Sequence, residues 1–347
     1  MSKAPLKIAI DDGSTNVKVC WYQGGKIKSV ISPNSFRKDW KSAALRAETK
    51  VYNYQVGTTK YTFDATSDKA LSTTHIDYQY DDQNLLAVHH ALLQTGLQPQ
   101  PVEIVVTLPI TEYYNADDCQ KNEAKIERKR QNLLRKITLN KGEVFDIVDV
   151  KVMPESLPAV LSTLLSANVH EFTKSLVIDL GGTTLDMGIV VGEYDDVSGI
   201  YGNNEIGVCM VTDAARKALA AADSDASYLV SNELIKNRHD DEFVEAVLND
   251  LSKKEIVLEK IETKIAELGS QVAFEAKKFA KHPHRIYLVG GGAALIEPAI
   301  REAYATLGDK IQLMDDAQLA LAKEMCLYHT APDTESAAQH AEAEAVA

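Results

Sequence analysis

Cysteine is scarce in this chain of 347 residues: four, at positions 20, 119, 209 and 326, far apart and with no CxxC pair. That excludes a disulfide scaffold and a paired-thiol motif, and it suits free thiols in a reducing compartment. No apolar run approaches the ~20 residues that a membrane-spanning helix needs. The opening MSKAPLKIAIDDG has no apolar core of a signal peptide. A cytoplasmic protein without membrane association is therefore expected. Basic residues are also in deficit, 37 Lys and Arg against 50 Asp and Glu, for a formal net charge of −13. Such a surface argues against a broad face for direct contact with nucleic acid. An apolar fraction of 45% allows a sizeable core, and the length suits two domains or one large one.

What the chain does have is a repeated hairpin. Residues 175–187 read SLVIDLGGTTLDM, an apolar strand, Asp179, two glycines, two threonines and Asp186, followed by a second apolar run. Residues 7–20 read KIAIDDGSTNVKVC, which is the same pattern of apolar strand, Asp, Gly and Ser or Thr, then strand. Gly13, Gly181 and Gly182 let the backbone bring N–H groups close to an anion. Ser14, Thr15, Thr183 and Thr184 add hydroxyl donors, and Lys18 adds a point charge. Asp11 and Asp179 would repel a phosphate unless a cation sat between them; Mg²⁺, hard and retaining several waters, suits that place. Either hairpin alone is an ordinary Asp-Gly turn. Two of them, facing each other across a cleft, point to a nucleotide held from both sides.

The rest of the chain reads as mixed α/β. Residues 51–63 suggest a hairpin about Gly57, and 84–96 a helix stopped by Gly96 and carrying His89 and His90. These neighbours point in different directions, which favours packing or solvent over a shared metal. Residues 124–137 form a strongly basic helix, read as a solvated face. In MPESLPA, Ser156 suits a helix cap and Pro158 a first turn. Glu155 at that helix mouth could orient a water for attack on a phosphate or simply favour the helix dipole. Arg216 and Lys217, off the apolar stripe of the next helix, are candidates to approach a base or ribose. Residues 241–281 are helical by pattern, and the 330–347 stretch, rich in Ala and Glu, is expected to be disordered. RIYLVGGGAAL at 285–295 ends a strand in glycines, so Gly290, Gly291, Gly292 and Ala293 are a candidate third wall, against the adenosine.

Two Asp-Gly-Thr hairpins, a Glu near a helix start between them and a late GGGA turn resemble the actin/Hsp70/sugar-kinase ATPase superfamily. The blocks IDDGSTNVK, ISPNSF, AVHHALL, TLPITEYY, KVMPES, IDLGGTTLD and VGGGAALI resemble more closely the ParM (StbA) family of plasmid-segregation actin homologues, from about Lys7 to about Tyr328. That resemblance implies an α/β, actin-like fold of two related domains flanking a nucleotide cleft. Domain I would hold 1–166 plus 312–330 and domain II 167–311, with 331–347 as a tail. It implies Asp11, Gly13, Ser14, Thr15, Asn16 and Lys18 as the first phosphate motif and residues 179–184 as the second, with Asp11 and Asp179 acting on Mg²⁺ through water. Glu155 becomes the acid that promotes hydrolysis, together with Asp179. The implied activity is ATP hydrolysis coupled to a head-to-tail filament, which does not close on itself. A ParR-like adaptor would hold the filament to a centromere-like plasmid site, in agreement with the acidic charge. GTP stays open, since glycines and hydroxyls read phosphates and not bases. An MreB-like filament or a small-molecule kinase would use the same fold, but neither a membrane-binding segment nor a second general base is evident.

Overall fold

The computed structural model describes residues 4–42, 50–65, 67, 69–115, 117–118 and 120–329. The tail 331–347 and Cys119 lie outside the described residues. Cys20, Cys209 and Cys326 form no disulfide.

The strands, in chain order, are β1 (Leu6–Asp12), β2 (Asn16–Gln23), β3 (Lys26–Pro33), β4 (Phe36–Lys38), β5 (Asn53–Val56), β6 (Thr59–Phe63), β7 (Pro101–Leu108), β8 (Ile137–Leu139), β9 (Asp146–Pro154), β10 (Lys174–Leu180), β11 (Leu185–Val191), β12 (Asp196–Asn203), β13 (Arg285–Val289) and β14 (Ile311–Leu313). The helices are α1 (Asp82–Gln94), α2 (Ile110–Tyr113), α3 (Glu123–Leu133), α4 (Leu161–Ser166), α5 (Cys209–Ala221), α6 (Tyr228–Lys236), α7 (Asp241–Val247), α8 (Lys254–Phe279), α9 (Ala293–Ala303) and α10 (Ala320–His329).

Two sheets of five strands repeat one topology. The first has the order β3-β2-β1-β7-β9 and the second β12-β11-β10-β13-β14. In both, the first three strands run as an antiparallel meander and the last two join in parallel. The sequence repeat is therefore a repeat of whole sheets: β1–β2 and β10–β11 are equivalent hairpins. A small third sheet, β4-β6-β5-β8, sits beside the first.

Each sheet has its own core. Ile8, Val19, Leu85, Leu92 and Ile104 fill the first, under α1. Leu176, Ile178, Leu219, Ile261, Leu268 and Ile296 fill the second, under α5, α8 and α9. A third cluster joins the two sheets, with Ala9, Val105, Leu157, Val160, Val177, Val289, Leu321 and Met325 in contact. There α10 packs back onto β1, β2 and the turn 157–160. At 25 cal/mol per Å² of apolar surface, such burial is the main force holding the two sheets together.

Some expectations shift. The basic helix ends at Leu133, and Ile137 belongs to β8, whose partner is β5; β-branched Ile137 and Thr138 favour the strand. Lys129 on that helix is not solvated: it is fully buried and ion-paired with Asp12 at 2.5 Å. The helical stretch 241–281 is broken at Leu248, whose backbone is extended, and resumes as α8. Gly96 does stop α1, with φ of 73°.

Candidate functional site

The parallel strands of both sheets end at one cleft of about 310 Å³, the usual place for a ligand in open α/β sheets and within the usual size range of ligand pockets. The cleft is lined by Asp11, Gly13, Ser14, Thr15, Asn16 and Lys18 from the first hairpin, Asp179, Gly181, Gly182, Thr183 and Thr184 from the second, and Glu155. Every residue expected from the two hairpins thus comes together.

The hairpins touch at their tips. Ser14 Oγ lies 2.5 Å from Thr183 Oγ1, and a Cβ added to Gly182 would lie 1.9 Å from Thr15 Oγ1. Glycine at 182 is what permits this approach. The second turn is braced from behind, since the N–H groups of Val208 and Cys209 at the start of α5 donate to the carbonyls of Gly181 and Gly182 at 3.1 and 2.8 Å. The first turn is braced by Asn34, whose amide donates to the carbonyls of Gly13 and Ser14 at 3.1 and 2.6 Å and to the Tyr78 hydroxyl at 2.8 Å. Asn34 falls in the block ISPNSF, but nothing in its local sequence assigns it this task.

The third wall departs from expectation. Gly290 and Gly291 line the cleft, with Ala294 and Leu295. Gly292 and Ala293 do not: a Cβ at 292 would meet Val208 and Leu180 within 2.7 Å, and Ala293 is fully buried in the second core. The cause is the onset of α9 at Ala293, which turns that residue under the sheet and leaves the next two facing the cleft. Gly290 takes φ of 88°, with Asp179 Oδ1 only 2.1 Å from where a Cβ would stand. Arg216 and Lys217 also stay away from the cleft. Arg216 Nε donates to the Ala226 carbonyl at 2.8 Å, its guanidinium lies over Tyr228, and Lys217 is exposed. Asn232, Ile235, Lys236 and Arg238, on and after α6, supply that wall instead.

Carboxylates crowd the floor. Lys18 Nζ lies 3.0 Å from Asp11 Oδ2; burial pulls the Lys18 pKa down, but Asp11 outweighs it, so the ammonium is held above its usual range. Burial and then the Asp11 charge push Asp179 up to about 6. Burial and then Asp186 push Glu155 well above the carboxylate range, with Asp11, Asp179 and Asp12 adding to the effect. Asp186, buried and facing Asp179, reaches about 7. Its Oδ1 has no hydrogen-bond partner among the described residues. Behind them, Asp12 is bound by Lys129, Asn84 and Thr107.

One lysine among so many carboxylates is a site short of positive charge. Among the described residues no three His, Cys, Asp or Glu side chains form a ready cage for a metal ion. A hard cation here would draw few ligands from the protein and keep waters, which is the habit of Mg²⁺ beside phosphates. The donor set fits it, with Asp11 and Asp179 as the carboxylates that would hold those waters.

Family models described as plasmid segregation protein ParM, N-terminal and C-terminal, match residues 6–166 and 169–328. Among solved structures, a 15-stranded ParM filament from Clostridium botulinum is 16% identical, covers 94% of this chain and 99% of that one, and superposes with a TM-score of 0.70. The archaeal actin homologue Ta0583, in complex with ADP, is 17% identical, with coverage of 92% and 97% and a TM-score of 0.64. The actin-like protein Alp7A is 14% identical, with coverage of 97% and 99% and a TM-score of 0.67. A comparison with the curated proteins returns no match. At these identities the structures establish the actin-like fold, and the two family models, which together span nearly the whole chain, establish that it belongs to the ParM family of plasmid segregation proteins.

Proposed function

We propose that this chain hydrolyses ATP and couples the cycle to assembly and loss of a head-to-tail filament that moves plasmid copies apart. The observation that carries this reading is the meeting of two equivalent Asp-Gly-Thr hairpins, tip to tip, on the floor of a cleft that Glu155 also lines. The hydroxyls and glycine backbones of both hairpins would cradle the phosphates, and Lys18 would lend its charge. Mg²⁺, when bound with the nucleotide, would neutralise the phosphates, held through water by Asp11 and Asp179. Glu155 would orient the attacking water and accept its proton. Burial first, and then the neighbouring carboxylates, favour the protonated form of Glu155; a cation bound beside the phosphates would offset the second of these and favour the carboxylate that serves as base. The hairpins read phosphate and leave GTP admissible.

The lobes we assign are 1–166 with 312–330 and 167–311; the return of α10 onto β1 and β2 supports that division. Nucleotide bound between the lobes would favour the closed, assembling form. We assign self-assembly to the same chain by likeness to the ParM filament, and contact with plasmid DNA to a ParR-like adaptor, in keeping with the net charge of −13. No helix among the described residues is long and apolar enough to cross a membrane; we place the work in the cytoplasm.

The test is right-angle light scattering after addition of Mg-ATP, with phosphate release followed in parallel. Scattering that rises above a threshold protein concentration and decays as phosphate appears is expected. A flat trace with phosphate release linear in protein would put a small-molecule kinase or monomeric ATPase first.

A further inference from the structure

Between Glu155 and Leu157 the backbone does something costly. Ser156, expected to cap a helix, caps nothing; its φ is 74° and its ψ −73°. The Leu157 N–H donates to the Glu155 carbonyl at 3.0 Å, closing a three-residue turn. This is the rare γ-turn with positive φ, which strains any residue with a Cβ. Such strain persists only where the surroundings impose it, and here they do so from both ends. On one side the Glu155 N–H donates to the Leu108 carbonyl at 2.8 Å, tying the turn to the end of β7. On the other, Leu157 is buried against β11, so close that a Cβ on Gly188 would lie 2.3 Å from its Cδ2. The turn thus spans the two sheets, and Glu155 sits at its first position.

Ser156 itself is fully buried, and its hydroxyl faces the Asp179 carboxylate without closing a full hydrogen bond to it. A buried hydroxyl without a full hydrogen bond carries a desolvation cost that Ala would avoid.

We propose that Ser156 is a positioning residue for hydrolysis: its strained γ-turn, clamped between Leu108 and Gly188, aims the Glu155 carboxylate at the second phosphate hairpin, and its hydroxyl steadies Asp179. This rests on the reading of Glu155 as the residue that orients the attacking water.

Four variants test this in the full chain: Ser156→Gly, Ser156→Ala, Gly188→Ala and, as reference, Glu155→Ala. Three quantities are read: phosphate release per polymerised protomer, the Kd of a fluorescent ADP analogue, and the Tm of nucleotide-free protein. Glycine adopts φ of 74° without strain, so Ser156→Gly is expected to raise Tm by about 2 °C while phosphate release falls about 10-fold or more, since small misplacements of a catalytic group are expensive. Its Kd should stay within about 2-fold of wild type, because the turn touches hydrolysis and not phosphate cradling. Ser156→Ala, which keeps the strain and loses the hydroxyl, should fall between the two. Gly188→Ala should slow release by pushing Leu157, and with it the turn, out of place. Wild-type phosphate release in Ser156→Gly, or a fall in rate that comes only with lost ADP affinity and lowered Tm, would overturn the proposal. If Glu155→Ala itself hydrolyses normally, the reading of Glu155 fails and this inference with it. Slow Glu155→Ala beside a normal Ser156→Gly overturns the inference alone.

Discussion

Asp186 stands directly opposite Asp179 across the β10–β11 ladder, in the place that Lys18 takes opposite Asp11 across β1–β2. Directly opposed residues of an antiparallel pair share a face, with Cβ atoms ~5 Å apart. The repeat therefore builds an ion pair in the first hairpin and a like-charged pair in the second. The first is a bridge of 3.0 Å; the second is repulsive, eased by Lys18 near Asp179 and by hydrogen bonds from Thr184 and the Ile110 N–H to Asp186, and further by protonation or a cation.

The first prediction follows from that repulsion. Burial, then the charge of Asp179, holds Asp186 at about 7, above the ~3.9 of an unfolded Asp. A carboxyl with a raised folded pKa favours folding while protonated, so its ionisation takes stability away as pH rises through that window. Asp186→Asn removes this loss and keeps an oxygen to accept the Ile110 N–H. In urea unfolding without nucleotide or divalent cation, the variant should be more stable than wild type by about 2–4 kcal/mol at pH 8, and the difference should vanish near pH 4. A variant less stable at pH 8 would contradict the repulsion.

The second prediction concerns the chemistry. Glu155→Ala should bind nucleotide and assemble, yet release phosphate at least about 100-fold more slowly, so that its filaments persist. Normal phosphate release at matched polymer mass refutes the role. Asp179→Ala should lose Mg²⁺-dependent hydrolysis, and unchanged turnover would remove Asp179 from the metal's surroundings.

Much of the site was legible because a turn that must hold an anion needs particular residues close together. Asp11 to Lys18 and Asp179 to Thr184 are contiguous, and their repeat at a constant offset announced two equivalent hairpins. What stayed hidden depends on residues distant in sequence. Asn34 braces Gly13 from the connection after β3, and Lys129 reaches Asp12 across more than a hundred residues; local pattern gives no hint of either. Gly292 and Ala293 are expected where Ala294 and Leu295 in fact stand, because the onset of α9 decides which of those residues face the cleft. Ser156 was misread for a related reason: Ser before Leu-Pro is an ordinary cap, and only the clamp between β7 and β11 forces a γ-turn. The duplicated sheets followed from the repeat, whereas β8 was concealed in a run that reads equally well as helix.

A third prediction uses the histidines of α1. His89 and His90 are 3% and 2% exposed, and burial lowers them to about 4 and about 3. His90 still finds the Tyr54 hydroxyl at 2.8 Å and stacks on Phe63, while neither ring nitrogen of His89 has a partner among the described residues. A histidine with a depressed folded pKa must bind a proton to unfold in acid, so its contribution is whole above pH ~6.5 and is lost as pH falls towards 4. Between pH 6.5 and pH 5 each should take away about 2 kcal/mol. His89→Leu should flatten that part of the acid slope and match or exceed the wild-type stability at pH 7, because it removes a buried polar ring with no hydrogen bond. An unchanged acid slope would show that His89 is not held neutral.

The fourth prediction tests the polar network behind the first hairpin. Lys129 and Asp12 are both wholly buried, 2.5 Å apart, with Gln79, Asn84 and Thr107 completing their hydrogen bonds. A buried pair is strongly sensitive to losing one partner and far less to losing both. Lys129→Met should therefore destabilise the chain by about 3–5 kcal/mol, since it leaves the Asp12 charge with only neutral donors. Asp12→Asn alone strands the ammonium and should cost a similar amount. The double variant should recover a large part of either loss, giving a coupling of at least about 2 kcal/mol in a double-mutant cycle. If the two losses simply add, the pair is not an energetic unit and the first hairpin is held by its other contacts, Asn34 and Thr183 among them. If they couple and the double variant also binds ADP normally, the network serves the fold; a double variant that folds and binds poorly would show that this charge pair sets the hairpin against the phosphates.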